Sequence, residues 1–312
     1  MLRVATYNLY LGADLTLVFD ARGPDDLERR THQVLDQLEA TDFRERAGAL
    51  AGVLMAARLD VIGLQEVARW SHAAAEGTWR VRWDFLELLL EALAERGCCY
   101  DAVAVQPTFG GALELAGGRR VAVRGHDVLL VRREGPVTVQ QVRRGTYARA
   151  LRVVTPMPGL VLEVTRGWCW ADVTLHGPMR VATTHTEAWN REIRDAQRDE
   201  LLGLLEPDAA AGRPTVVLGD LNAPPDEVGV PAPYRDAWAV AGGPSPGWTC
   251  AQAADLGNSA SALDRRVDYV WVRGLDVAGA GTLGDRPDER TARGLWPSDH
   301  AGVFAALVPP VA

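Results

Sequence analysis

Short apolar runs that stop abruptly alternate along this chain with longer stretches of helical spacing. Residues 2–9 place Val4, Thr6 and Asn8 on one side and Ala5 and Tyr7 on the other, the period of two expected of a strand. Residues 59–65 and 215–218 are apolar runs of strand length, the second bounded by Pro214 and Gly219, and both read as buried strands. Further strands are expected at 100–106, 121–133, 137–142, 267–272 and 301–307, with a turn around Gly135-Pro136. Residues 160–175 and 179–184 read as a hairpin turning at His176-Gly177-Pro178. Helical spacing covers 43–58, 83–96 (closed by Gly97) and 188–205. The helix at 83–96 is amphipathic and reads as packing without chemistry.

The strands end in polar residues. Asn8, Glu66, His185, Asp220 with Asn222, Asp268, and Asp299 with His300 all sit where an apolar run begins or stops. Taken one at a time they have ordinary explanations, because Asp and Asn favour turns and loop histidines and glutamates are often solvated. Together they put acids, amides and histidines at the mouths of several strands, where open α/β sheets bind ligands. That is the equipment for metal-assisted hydrolysis of a phosphate ester: a hard cation to position, a water to activate and phosphoryl charge to neutralise. Carboxylate and amide oxygens suit Mg²⁺ or Mn²⁺.

Composition narrows this picture. The chain has 312 residues with no linker-like, repetitive or low-complexity segment, so a single domain over 1–312 is expected. The start, MLRVATYNLYLG, is a strand pattern, so no signal peptide is expected, and no run is long enough to span a membrane. Cys98, Cys99, Cys169 and Cys250 form no C-x-x-C pair, which points to buried free thiols in a reducing cytoplasm. No protein partner is evident. The net charge of −8 argues against a broad nonspecific grip on nucleic acid. The chain has no lysine, and nine arginines fall between Arg119 and Arg152 against Asp127 and Glu134. The run reads either as solvated strand faces or as a patch that meets an anionic substrate.

The motifs TYNLYLG, GLQEV, TTHTE, GDLN, RRVDYV and SDH, in that order from Thr6 to His300, resemble the endonuclease/exonuclease/phosphatase (DNase I-like) superfamily. The segment WTCAQAADLGN at 248–258 is similar to a subgroup of bacterial and fungal members. The resemblance implies a four-layer α/β sandwich, with two central mixed, mainly antiparallel sheets and helices outside. It implies Glu66 as principal metal ligand with Asn8 and Asp299 beside it. Asp220 would orient or deprotonate the attacking water, and Asn222 would hold the phosphate or that water. His300, paired with Asp268, would contact the phosphate, and His185 would donate to a phosphate oxygen or assist the leaving group. Three positions depart from the family pattern: Tyr10 where an Asp or Asn is common, Thr186 where Leu is common, and His126 where an arginine-like residue is expected. Arg143, Arg144 and Trp189 are the candidate substrate contacts. The expected activity is a nuclease-like phosphodiesterase. The alternatives are hydrolysis of a small anionic ester in a bacterial biosynthetic pathway and an inactive binding protein on the same fold.

Overall fold

The computed structural model describes residues 1–157 and 161–310. The chain opens with β1 (Leu2–Asn8), the single-turn α1 (Thr16–Phe19), α2 (Pro24–Ala40) and α3 (Phe43–Ala57). Next come β2 (Val61–Gln65), β3 (Arg69–Ala73), β4 (Arg80–Asp84), α4 (Phe85–Ala94), β5 (Tyr100–Glu114) and β6 (Arg120–Arg132). The second half runs through β7 (Thr138–Thr146), β8 (Leu151–Val154), β9 (Val161–Val164), β10 (Gly167–Thr174) and β11 (Pro178–His185). It continues with α5 (Arg191–Ala210), β12 (Thr215–Asp220), α6 (Pro225–Val228), β13 (Arg235–Asp236) and α7 (Ala237–Ala241), and ends with β14 (Asp268–Arg273), β15 (Asp276–Leu283) and β16 (Gly302–Val308).

Two large mixed sheets face each other with helices outside, the α/β sandwich that the family resemblance implied. The first has the order β15-β16-β1-β2-β6-β3-β4, with β5 also on β6; the second runs β13-β14-β12-β11-β10-β7. Each contains one parallel pair, β1 with β2 and β11 with β12, among antiparallel neighbours. Asn8 pairs with Gln65 at the end of one parallel pair and His185 with Asp220 at the end of the other. Two strand-end crevices therefore meet at one edge of the sandwich.

The period of two explains the layers. Leu2 and Val4 of β1 point into the core between the sheets, with Val61, Leu129, Val181, Val216, Leu218 and Val270. Ala5 and Tyr7 point the other way, onto Leu50 and Leu54 of α3 and Leu89 and Leu93 of α4. On the second sheet, Trp170, Val217 and Trp271 pack outward against Leu201 and Leu205 of α5. Near the site the space between the sheets turns polar and narrow. Thr6 Oγ1 donates to Gln65 Oε1 at 3.0 Å, and Gln65 Nε2 donates to Thr183 Oγ1 at 2.9 Å. A Cβ on Gly63 would stand 2.5 Å from Thr183 Oγ1 and 2.9 Å from Leu218 Cβ, so this position accepts only glycine without displacing the opposite sheet.

The structure departs from the sequence-based elements in several places, four of which bear on the layout. The helix expected at 83–96 starts at Phe85, because Trp83 and Asp84 finish β4 and the Asp84 carboxylate accepts the Glu87 N–H as the helix cap. β5 continues past Pro107 to Glu114, passing that proline through a register shift between Pro107 and Gly110. The Gly135-Pro136 turn carries the chain from one sheet to the other, β6 lying in the first and β7 at the edge of the second. The first arm of the hairpin is two strands, β9 and β10, broken at Thr165-Arg166; Leu160, the first residue of that arm as expected from the sequence, lies outside the described residues. Cys169 and Cys250 are buried free thiols, Cys98 is half-buried and Cys99 exposed. Among the described residues no helix is long and apolar enough to cross a membrane.

Candidate active site

A cavity of about 270 Å³ opens where the two parallel pairs end. Glu66, His185, Trp189, Asp220, Asn222, Asp299 and His300 line it. Asn8 and Asp268 stand directly behind, bonded to Asp220 and His300 respectively. Three residues here hold a left-handed backbone unusual for anything but glycine: Tyr10 at φ 53°, Glu66 at 54° and Asn222 at 49°. Each follows a strand end, and the turn aims its neighbours into the cavity.

Asp220 is the centre of the network. Its Oδ1 accepts the Asn222 N–H at 2.9 Å, and its Oδ2 accepts from Asn8 Nδ2 at 3.0 Å. The same Oδ2 lies 3.4 Å from His185 Nε2 and 3.9 Å from His300 Nε2. Burial pushes the Asp220 carboxyl up to about 6, with Asp268 adding to the rise and His300, Asn8 and the Asn222 N–H opposing it. His300 Nδ1 donates to Asp268 Oδ2 at 2.8 Å. Burial works against an imidazolium at His300, but Cys250, Asp268, Asp299 and Asp220 together override it and hold the ring charged well above the usual histidine range.

His185 is the opposite case. Burial first, then Arg166 and His300, drive it well below the usual range, so it stays neutral. Arg166 approaches its Nδ1 at 2.9 Å. A guanidinium can only donate, so Nδ1 must accept and Nε2 must carry the hydrogen. Asn222 Nδ2 lies 2.9 Å from that nitrogen and 3.0 Å from Thr186 O. The amide donates to Thr186 O, and His185 Nε2–H faces Asp220.

The opposite wall is richer in acceptors. Glu66 Oε2 accepts the Leu11 N–H at 3.0 Å, and Asn8 Oδ1 accepts the Tyr10 N–H at 2.9 Å. Burial pushes Asp299 up to about 7; His300 and Arg46 oppose the rise, while Glu66 and Asp220 add to it. A buried Asp299 pushed up by its carboxylate neighbours, beside oxygens that backbone donors answer only in part, fits a hard divalent cation. Asp220, Asp268 and His300 also bring ligand atoms within 4.8 Å of one another, a second set able to hold an ion. Tyr10 supplies no ligand, since its hydroxyl donates to Ala254 O at 2.9 Å.

This wall is held from behind by Arg46 of α3, which is fully buried. Its guanidinium donates to Thr41 O at 2.9 Å, Leu9 O at 2.8 Å, Pro297 O at 2.9 Å and Tyr10 O at 3.1 Å. Burial lowers its pKa to about 10, so it remains charged at neutral pH. One side chain thus ties together the loop after β1 and the loop that carries Asp299 and His300.

The substrate-contact residues divide. Trp189 is exposed, lines the cavity and meets Phe19 edge to face at 6.0 Å. Its N–H donates to Glu187 Oε1 at 2.8 Å. Arg143 and Arg144 do not line the cavity. They are exposed on β7 opposite Trp170 and Cys169, whereas the line that reaches the site is Thr146, Gly167 and His185. Other arginines of the run are answered by acids from elsewhere, Arg132 by Asp60 at 2.6 Å and Arg133 by Asp101 at 2.7 Å. Among the described residues, the arginine that does line the cavity is Arg166, which sequence reasoning passed over. A wider cavity of about 740 Å³, bordered by Arg69, Trp79, Arg124 and His126, shares Phe109 with the site but contains none of the strand-end acids.

The sequence model of the endonuclease/exonuclease/phosphatase family matches residues 5–300, and the chain belongs to that family. Its fold is similar to that of an endonuclease/exonuclease/phosphatase family protein from Bacteroides thetaiotaomicron, with a TM-score of 0.61 and 17% identity over 99% of this chain and 98% of that one. A mannosyl-6-phosphatase from the same organism gives a TM-score of 0.61 and 18% identity over 99% and 100%. A truncated TDP2 from Caenorhabditis elegans gives 0.56 and 17% over 98% and 97%. No curated protein sequence matches the chain.

Proposed function

We propose that this chain is a divalent-cation-dependent hydrolase of phosphate esters that uses a water oriented by Asp220. The observation that carries the reading is the position of Asp220 between two unlike histidines, with Glu66 and Asp299 across the same cavity. Glu66, Asn8 and Asp299 would hold Mg²⁺ or Mn²⁺. When bound, the cation supplies positive charge for the phosphoryl oxygens. Asp220, with its carboxyl near 6, accepts the proton of the attacking water. Asn8 Nδ2 and the Asn222 N–H keep its two oxygens in place. His300, charged and braced by Asp268, offers its Nε2–H to the phosphoryl group. His185 is confined to the neutral form, which supports a hydrogen-bond donor and not an acid that protonates the leaving group. The commitment of His300 Nδ1 to Asp268 favours a hydrogen-bonded triad over an ion at Asp220, Asp268 and His300.

The size of the cavity, about 270 Å³, and the placement of the arginine run away from it favour a small anionic ester over a nucleic acid strand. The test is hydrolysis of p-nitrophenyl phosphate and bis(p-nitrophenyl) phosphate with Mg²⁺, with Mn²⁺ and with EDTA. Turnover that needs the cation and disappears in Asp220→Asn is expected. Equal turnover in EDTA, or in Asp220→Asn, overturns the mechanism.

A further inference from the structure

Beside the polar cavity lies a second one of about 150 Å³. Leu15, Phe19, Phe109 and Val164 line both, so the two adjoin across these four side chains. Its walls come from α1, α2, β3, β9 and the part of β5–β6 that extends past Pro107, and they are mainly aliphatic and aromatic, with Val34, Trp70, Val123 and Leu162 among them. Two polar groups of its inner wall are already spent. Thr31 Oγ1 donates to Leu27 O at 2.7 Å, and Trp70 Nε1 donates to Leu11 O at 2.9 Å. Glu163 is exposed. Away from the Glu163 rim the lining offers water few partners, and an apolar space of this order takes up about one aromatic ring. Left empty, it forfeits contacts that a ligand group restores.

We infer that the ester hydrolysed here carries an apolar group, a short alkyl chain or one aromatic ring, which enters this second cavity while the phosphate lies among Glu66, Asp220 and His300. This inference rests on the hydrolase reading above and adds the substrate class. It also gives a role to Phe109, which lies at the junction of the two cavities, and to the α1 turn, which supplies Leu15 and Phe19.

The experiment uses methyl, butyl and hexyl p-nitrophenyl phosphodiesters, which share a leaving group and differ in the retained ester. kcat/KM is expected to rise about fourfold for each methylene until the cavity is full. Leu162→Trp, at the half-buried wall, should flatten the series; Val34→Phe on α2 repeats the test from the other side. Calorimetry with methylphosphonate and hexylphosphonate reads the same preference without turnover. Metal-dependent turnover with a flat series and equal binding of both phosphonates overturns the inference and leaves the hydrolase reading intact. No turnover, with tighter binding of hexylphosphonate that Leu162→Trp abolishes, overturns the hydrolase reading and supports the apolar subsite.

Discussion

The two parallel strand pairs end in the same cavity, and they end differently. The β11–β12 pair delivers side chains whose hydrogen bonds answer one another: His185 takes Arg166, and Asp220 takes Asn8 and the Asn222 N–H. The β1–β2 pair, with the loop before β16, delivers oxygens that are answered in part by backbone N–H groups, Glu66 by Leu11 and Asn8 by Tyr10. A closed network fixes where protons sit and suits acid–base work. An acceptor-rich wall is costly until a cation arrives. The sheet scaffold is the same on both sides, so the division of labour comes from the last one or two residues of each strand.

The sharpest test of the contrast sets one change on each side. Asp220→Asn keeps the shape and should lower kcat by about 10²–10⁴-fold, the range for loss of a general base, with the thermal midpoint of the cation-free protein little changed. Glu66→Gln should instead weaken cation affinity by tenfold or more in calorimetry. It should leave the cation-free protein as stable as before or more so, because it removes one of the carboxylates that burden Asp299. A Glu66→Gln protein clearly less stable without cation would erase the distinction between the walls.

Arg46→Met tests whether the acceptor-rich wall depends on support from behind. Four carbonyls lose their donor, and an unsatisfied buried acceptor costs about 1–3 kcal/mol. A loss of about 3 kcal/mol or more is expected in denaturant unfolding. Smaller effects are expected far from the site. At the other end of the second sheet, Asp172 is bonded by Arg180 at 2.7 Å and faced by Arg213 at 3.2 Å. Burial alone would raise its carboxyl, but the two arginines hold it below the usual value. A depressed folded pKa gives stability that is present above the unfolded value near 4 and is lost as pH falls through the folded one. Asp172→Asn should therefore lose stability at neutral pH and converge with the parent under acid. Smallest of all, Arg143→Ala with Arg144→Ala should change kcat/KM by less than about twofold at low salt, where steering by exposed charges is strongest.

What could be read from the sequence was local. A buried strand that stops at an acid, an amide or a histidine is a pattern within a few residues, and it located Glu66, Asp220 and Asp299. Helix α2 was legible too, through Leu27, Val34 and Leu38 on one face and Pro24, Asp25 and Asp26 at its start, and was missed. Arg166 could not be separated from the other arginines, because what distinguishes it is a strand break that faces it to His185 across the β10–β11 ladder. The run from Arg119 to Arg152 misled for the converse reason. Charge density along the chain shows neither the Asp60 and Asp101 partners nor which end of β7 faces the cavity. The Gly-rich β15 gave no pattern at all, and it is a strand because β16 supplies the ladder.

Gly63 makes the gap between the sheets part of the candidate site. It lies on the strand that ends one residue before Glu66, in contact distance of Thr183, two residues before His185, and Leu218, two residues before Asp220. A single methyl group there would act as a shim, prying the acceptor-rich wall from the closed network while touching no substrate. The thickness of the core at this point sets the alignment of the two walls.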